Sequence, residues 1–182
     1  MRAMMVGRFQ PFHMGHLSAV KYILNEVDEL ILIIAASQQS HQPTNPFTAG
    51  ERYDMIHYSL VDELGDISRI IIIPANDIRD NGLWVSHLVR LVPKFDVVYT
   101  NNPLTKYLFE QGGKKVRTPP LYERKEYSAA HVRDLIRKGD DSWHELVPQA
   151  VIKIIKEIKG ENRLKIINAT DEVYVPKKLQ KS

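Results

Sequence analysis

The 182-residue chain contains no cysteine. That absence excludes disulfides, cysteine-ligated zinc, iron–sulfur clusters and thiol nucleophiles together, and it leads us to expect a cytoplasmic protein. Long apolar runs are missing too. The longest, Leu30 to Ala36, is far short of the roughly 18 residues that cross a bilayer, so neither a membrane span nor a signal peptide is expected. The two commonest phosphate-binding loops, GxGxxG and GxxxxGK[ST], are absent. No dense carboxylate cluster and no HxxxH spacing offers a protein-built metal cage. Internal repeats and low-complexity linkers are likewise lacking.

What remains is the composition of an ordinary globular domain, 43% hydrophobic and 26% charged. One domain over residues 1–170 is expected, followed by a polar, lysine-rich tail over 171–182 that is expected to be mobile. The formal charge of +3 is too small to imply a nucleic-acid partner. Its distribution is uneven, however: residues 1–100 carry 8 Lys/Arg against 11 Asp/Glu, and residues 101–182 carry 17 against 11. Anion contacts are to be sought in the second half, unless those lysines only solvate the tail.

The periodicity alternates strand and helix. Ala3–Val6, Glu29–Ala36 (ELILIIAA), Arg69–Pro74 (RIIIIP) and Phe95–Thr100 read as strands apolar on both faces, and Lys115–Arg117 as a short fifth. Helices are predicted after each: one carrying Leu17, Val20, Ile23 and Leu24; one over 49–64 opened by the capping box Thr48/Glu51; one carrying Trp84, Leu88 and Leu91; and one over 104–111. Two more are expected at about 130–138 and 148–159. This order predicts an α/β fold: a Rossmann-like, doubly wound, mostly parallel sheet with helices on both faces and a C-terminal helical segment. Ligands in such sheets bind beyond the carboxyl ends of the strands, where strand order reverses. The candidate loops are therefore Gly7–His16, Ser37–Phe47, Ala75–Gly82 and Thr100–Pro103.

The first of these reads Gly7-Arg8-Phe9-Gln10-Pro11-Phe12-His13-Met14-Gly15-His16. His-x-Gly-His at a helix start puts two imidazoles beside free backbone N–H groups and the positive end of the helix dipole, a setting that favours an anion. Gly15 would let a phosphate approach the backbone, and Arg8 adds a permanent cation.

GRFQPFHMGH resembles the first motif of the HxGH nucleotidyltransferase superfamily, whose Rossmann-like fold is related to that of class I aminoacyl-tRNA synthetases. The second motif of that superfamily, roughly Ser-Ser/Gly-Thr-x-x-Arg, is matched by Tyr127-Ser128-Ala129-Ala130-His131-Val132-Arg133, with Ala130 standing where a threonine is usual. Over residues 4 to about 160 the chain is similar to archaeal-type nicotinamide-mononucleotide adenylyltransferases. That narrower likeness rests on Asn45–Arg52 (NPFTAGER), Ile73-Pro74 with Asp77-Ile78 and Asn81, Leu83-Trp84-Val85 and Asn102-Pro103-Leu104. Thr44 departs from it, since relatives often carry a basic residue there.

The resemblance implies that the 5′-phosphate of nicotinamide mononucleotide attacks the α-phosphorus of ATP, giving NAD and pyrophosphate. It implies catalytic roles for His16, His13, Arg8 and Arg133, and ATP binding by Gly7, Phe9, Gly15, Arg124 and Ser128. Trp84 would stack on the nicotinamide ring, with Asp77 and Asn81 on the amide or ribose; the alternative for Trp84 is a core position, and for Asp77 and Asn81 turn and cap chemistry. Mg2+ would arrive bound mainly through the substrate phosphates, with no metal site of the protein's own. The partners expected are small nucleotides, not nucleic acid or membrane, and a homo-oligomer, often a hexamer. Two other readings stand beside this one: adenylyl transfer to another acceptor, such as phosphopantetheine or flavin mononucleotide, and a catalytically silent nucleotide-binding module.

Overall fold

The computed structural model describes residues 1–120 and 127–173, the last four by backbone alone. Five strands, β1 (Arg2–Gly7), β2 (Glu29–Ile34), β3 (Ile70–Pro74), β4 (Val97–Tyr99) and β5 (Val116–Arg117), form one sheet in the order β3-β2-β1-β4-β5. Every pairing is parallel. Helices α1 (Met14–Leu24), α2 (Ala49–Leu64), α3 (Asn81–Leu91) and α4 (Pro103–Gln111) are the crossovers, and α5 (Ala129–Lys138), α6 (Gln149–Glu157) and α7 (Gly160–Val173) follow.

Because successive side chains of a strand point to opposite faces, the apolar runs of β2 fill two cores at once. Leu30, Leu32 and Ile34 join Val20, Ile56, Leu60, Val132, Trp143 and Val151 on the face covered by α1, α2, α5 and α6. Ile31 and Ile33 join Val85, Leu88 and Phe109 under α3 and α4. β2 is buried on both faces from Leu30 on, which is why it reads as a continuous hydrophobic stretch rather than an alternating one.

The boundaries differ from the sequence pattern at a few places. β2 stops at Ile34, because the next two carbonyls, of Ala35 and Ala36, turn to the Arg52 guanidinium instead of a neighbouring strand. Pro148 is the residue before α6 and not in its first turn. Helix α7 and a 3-10 turn at Asp141–Leu146 were not foreseen. Leu164 is the buried apolar contact of α7, too sparse a stripe to be read by periodicity. The tail expected from 171 coincides with α7 as far as Val173; residues 174–182 lie outside the described ones.

Candidate active site

Strand order reverses between β1 and β4, and there the carboxyl ends of the strands open into two adjacent cavities. The first, about 410 Å3, is lined by Arg8, His13, His16, Thr44, Ser128 and Arg133 among others. The second, about 450 Å3, is lined by Gly7, Asp77, Asn81, Trp84 and Thr105 among others. Val6, Arg8 and Asn102 belong to both walls. Four helices, α1, α3, α4 and α5, start at these cavities, so their unsatisfied first-turn N–H groups gather where a nucleotide's phosphates would lie.

The loop from β1 to α1 is held in an unusual path by buried polar contacts. Phe9 has φ +51° and a ring buried against Gly7, where a Cβ would come within 2.8 Å of Phe9 Cζ; only glycine allows that approach. Gln10 pairs with the backbone of Phe47, its Nε2 donating to the carbonyl (3.0 Å) and its Oε1 accepting from the N–H (2.9 Å). Fully buried Arg52 donates to the carbonyls of Arg8 and Ala35 (both 2.8 Å), Ala36 (3.0 Å) and Thr48 (3.2 Å). Burial draws its guanidinium down to about 10, with Arg8 nearby adding to the effect, so it stays charged near neutral pH.

His13 is the N-cap residue of α1, and its ring stacks on that of His16 with centroids 3.5 Å apart. The His13 backbone N–H donates to His16 Nδ1 (3.3 Å). When His16 is neutral its proton must therefore sit on Nε2, which makes Nε2–H a donor. Burial pushes His13 down to about 4. His16 is held well below the usual histidine range by burial first and by His13 beside it. Both are accordingly neutral donors at physiological pH rather than cations. His13 Nδ1 is buried without a partner. Gly15 lines the cavity, but the space over its α-carbon is occupied: a Cβ there would meet Tyr127 Cβ at 3.1 Å and His13 Nδ1 at 3.2 Å. Its glycine thus serves the histidine's position at least as much as any phosphate approach.

On the opposite wall, Ser128 caps α5, its Oγ accepting from His131 N–H (3.2 Å). Ala129 and Ala130, in the first turn, carry no side-chain hydroxyl and line the cavity beside the start of α5. Arg133 is buried; its Nη1 donates to the Gln10 carbonyl (2.7 Å), and its Nε has no partner. Burial lowers it to about 10, with Arg137 and Arg8 contributing. Arg8 itself is exposed at the junction of the two cavities.

In the second cavity Trp84 is half-buried, edge-on to Phe109 with centroids 5.6 Å apart. Its Nε1–H donates to Asp77 Oδ1 (2.9 Å). Asp80 takes the cap of α3, accepting from Gly82 N–H, so Asn81 is exposed at the cavity with no capping duty.

All of the sequence-derived site residues that are described line one cavity or the other; Arg124 lies outside the described residues. The reading placed Asn102, Gln10 and Arg52 within its motifs but gave them no role: Asn102 caps α4 and lines both cavities, and Gln10 and Arg52 hold the loop. Asn102 had a signal, since Asn-Pro at a predicted helix start marks a cap. Among the described residues no group of three His, Asp or Glu side chains could hold a metal ion, and the first cavity is lined by no carboxylate.

A family model described as cytidylyltransferase-like matches residues 4–135. The nicotinamide-nucleotide adenylyltransferase of Saccharolobus solfataricus is 49% identical over 94% of this chain and 99% of its own. That of Methanolobus tindarius is 47% identical over 95% and 98%, and that of Archaeoglobus fulgidus 49% over 94% and 99%. Among solved structures, a bifunctional NMN adenylyltransferase/ADP ribose pyrophosphatase from Francisella tularensis, complexed with AMP and a manganese ion, superposes with a TM-score of 0.75 at 19% identity. It shares the fold over 95% of this chain, which spans 54% of that longer one.

Proposed function

The chain belongs to the cytidylyltransferase-like family and, within it, to the nicotinamide-nucleotide adenylyltransferases of NAD biosynthesis, and from that premise we propose how its residues divide the reaction between the two cavities. ATP occupies the first and nicotinamide mononucleotide the second. The observation that carries this division is their shared wall of Val6, Arg8 and Asn102, which brings an acceptor phosphate and an α-phosphate together at one cation.

A 5′-phosphate oxygen of the mononucleotide attacks the α-phosphorus of ATP. The new P–O bond forms as the bond to the bridging α,β-oxygen breaks, and that electron pair leaves with pyrophosphate. No protein nucleophile is needed; the work is positioning and neutralising charge. His16 donates Nε2–H to the α-phosphate, whose charge grows in the transition state. His13 and the N-terminus of α1 hold the adjoining phosphate oxygens. Ser128 and the N–H groups of Ala129 and Ala130 take the leaving end, with Arg133 supplying the planar fork that suits a phosphate. Arg8 serves both phosphates at the junction, Thr44 offers a hydroxyl, and Arg124 is retained as a triphosphate contact.

With no carboxylate among the described residues that line the first cavity, Mg2+ would be held by the triphosphate itself and by water, supplying further neutralisation of the leaving pyrophosphate. In the second cavity, Trp84 stacks on the pyridinium ring, and Asn81 contacts the amide or ribose. A homo-oligomer, hexameric in the simplest case, and a cytoplasmic location complete the proposal; among the described residues no helix is long and apolar enough to cross a membrane. The test is incubation with ATP and Mg2+ and, in turn, nicotinamide mononucleotide, phosphopantetheine and flavin mononucleotide, with products identified by mass. NAD with pyrophosphate from the first mixture is expected. A product only from another acceptor, or none at all, would sink the assignment.

A further inference from the structure

We infer that Asp77 is the specificity-determining residue of the second cavity: its carboxylate selects the nicotinamide mononucleotide, whose ring is a net cation, over the nicotinate form, whose ring carboxylate cancels that charge. The inference rests on assigning this cavity to the acceptor.

Asp77 is the sole acidic side chain lining either cavity among the described residues. It is held from three sides. Gln38 grips its backbone with both ends of one amide, Nε2 donating to the Asp77 carbonyl (2.8 Å) and Oε1 accepting from its N–H (3.0 Å). The neighbouring Asn76 is fixed in turn by Ser37 Oγ on its Oδ1 and by a hydrogen bond between its carbonyl and His87 Nε2 (2.8 Å). The side chain is fixed by the Trp84 indole N–H. These contacts join the loop after β2 to the loop after β3, so the carboxylate stands still relative to the ring it bonds.

Two effects of that carboxylate favour a cation. Accepting a hydrogen bond from the indole makes the ring more electron-rich, which strengthens its attraction for a positive ring stacked on it. The carboxylate also places its own negative charge at the edge of the indole, in the same cavity as a ring stacked on it. A nicotinate carboxylate entering the same space would meet a like charge with no compensating partner, and rejection by an unpaired like charge is the efficient way to discriminate close analogues. A cavity built to welcome a second carboxylate would carry a cation near Trp84. Among the described residues, the single cationic side chain on this lining is Arg8, which stands at the shared wall with the phosphate-facing cavity.

The experiment measures kcat and KM for ATP and for both mononucleotides in the unmodified enzyme, in Asp77→Asn and in Trp84→Ala. Asp77→Asn is nearly isosteric and keeps an oxygen acceptor for the indole while removing the charge. The unmodified enzyme should prefer the nicotinamide form by about tenfold or more in kcat/KM. Asp77→Asn should erase most of that preference, by raising KM for the nicotinamide form and lowering it for the nicotinate form, with KM for ATP unchanged. Equal use of the two forms by the unmodified enzyme, or an unaltered ratio in Asp77→Asn, overturns the inference while leaving the cavity assignment standing. If Trp84→Ala leaves both acceptor KM values unchanged, the cavity assignment itself fails, and the inference with it.

Discussion

At the scale of single residues, the two histidines carry the sharpest expectations. Replacing His16 by alanine removes one pre-organised donor, and the usual penalty for that is about two orders of magnitude in turnover. Steady-state kinetics should find kcat down by at least that much with KM for ATP little changed; near-full turnover would leave His16 a fold residue only. His13 makes a stability expectation. Its folded-state value near 4 lies below that of an exposed histidine, so the unfolded chain takes up the proton first as pH falls. Stability from this site is complete above about pH 6.5 and drains away down to about pH 4, on the order of 3 kcal/mol in all. Urea unfolding of the protein and of His13→Gln at about pH 7 and about pH 4.5 tests this: the variant should lose less on acidification, the carboxylates common to both cancelling. The sequence spacing placed these imidazoles at a helix start. It held no sign that they stack 3.5 Å apart and stay neutral, because ring contact and burial come from the packing of Phe9, Phe12 and Tyr127 around them.

At the scale of elements, the legible parts were those whose information is local. Apolar runs of strand length, the Thr48/Glu51 capping box and the pattern of α2 found their structural counterparts because each is fixed by residues a few positions apart. Arg52 is the opposite case. It sits in an ordinary amphipathic helix, yet its four carbonyl partners come from three separate segments, and an alignment of remote backbone oxygens leaves no trace in periodicity. Arg52→Lys keeps the charge but cannot span those acceptors. Buried carbonyls left unmet cost about 1 to 3 kcal/mol each, so a loss of at least about 3 kcal/mol in unfolding free energy is expected by denaturant titration. Helix α5 gives the counterpart at the proposed ATP site. Arg133 braces the first loop through Gln10 and lines the first cavity. Arg133→Lys should lower kcat/KM for ATP about tenfold or more, since one ammonium cannot both hold the carbonyl and fork a phosphate. Equal activity would reduce its part to charge alone.

At the scale of the whole molecule, a parallel sheet with its reversal between β1 and β4 decides where chemistry can happen, and four helices begin at that edge. Occupying one cavity should stabilise the fold as any native-state ligand does: ATP at about 100 times its Kd adds about 2.7 kcal/mol, a rise of roughly 5 to 11 °C in Tm for a chain of this size. The thin partition of Val6, Arg8 and Asn102 has a consequence for the product as well. A dinucleotide is two occupants on one tether, and once either half is seated the other is confined next to its own cavity at a millimolar local concentration. Joining the substrates therefore turns two weak residents into one tenacious one. On the proposed division, turnover should then wait on departure rather than on bond-making, and added dinucleotide should compete against both starting materials at once in steady-state kinetics. A chain that draws its two chambers against one wall would, by that same economy, be reluctant to let go.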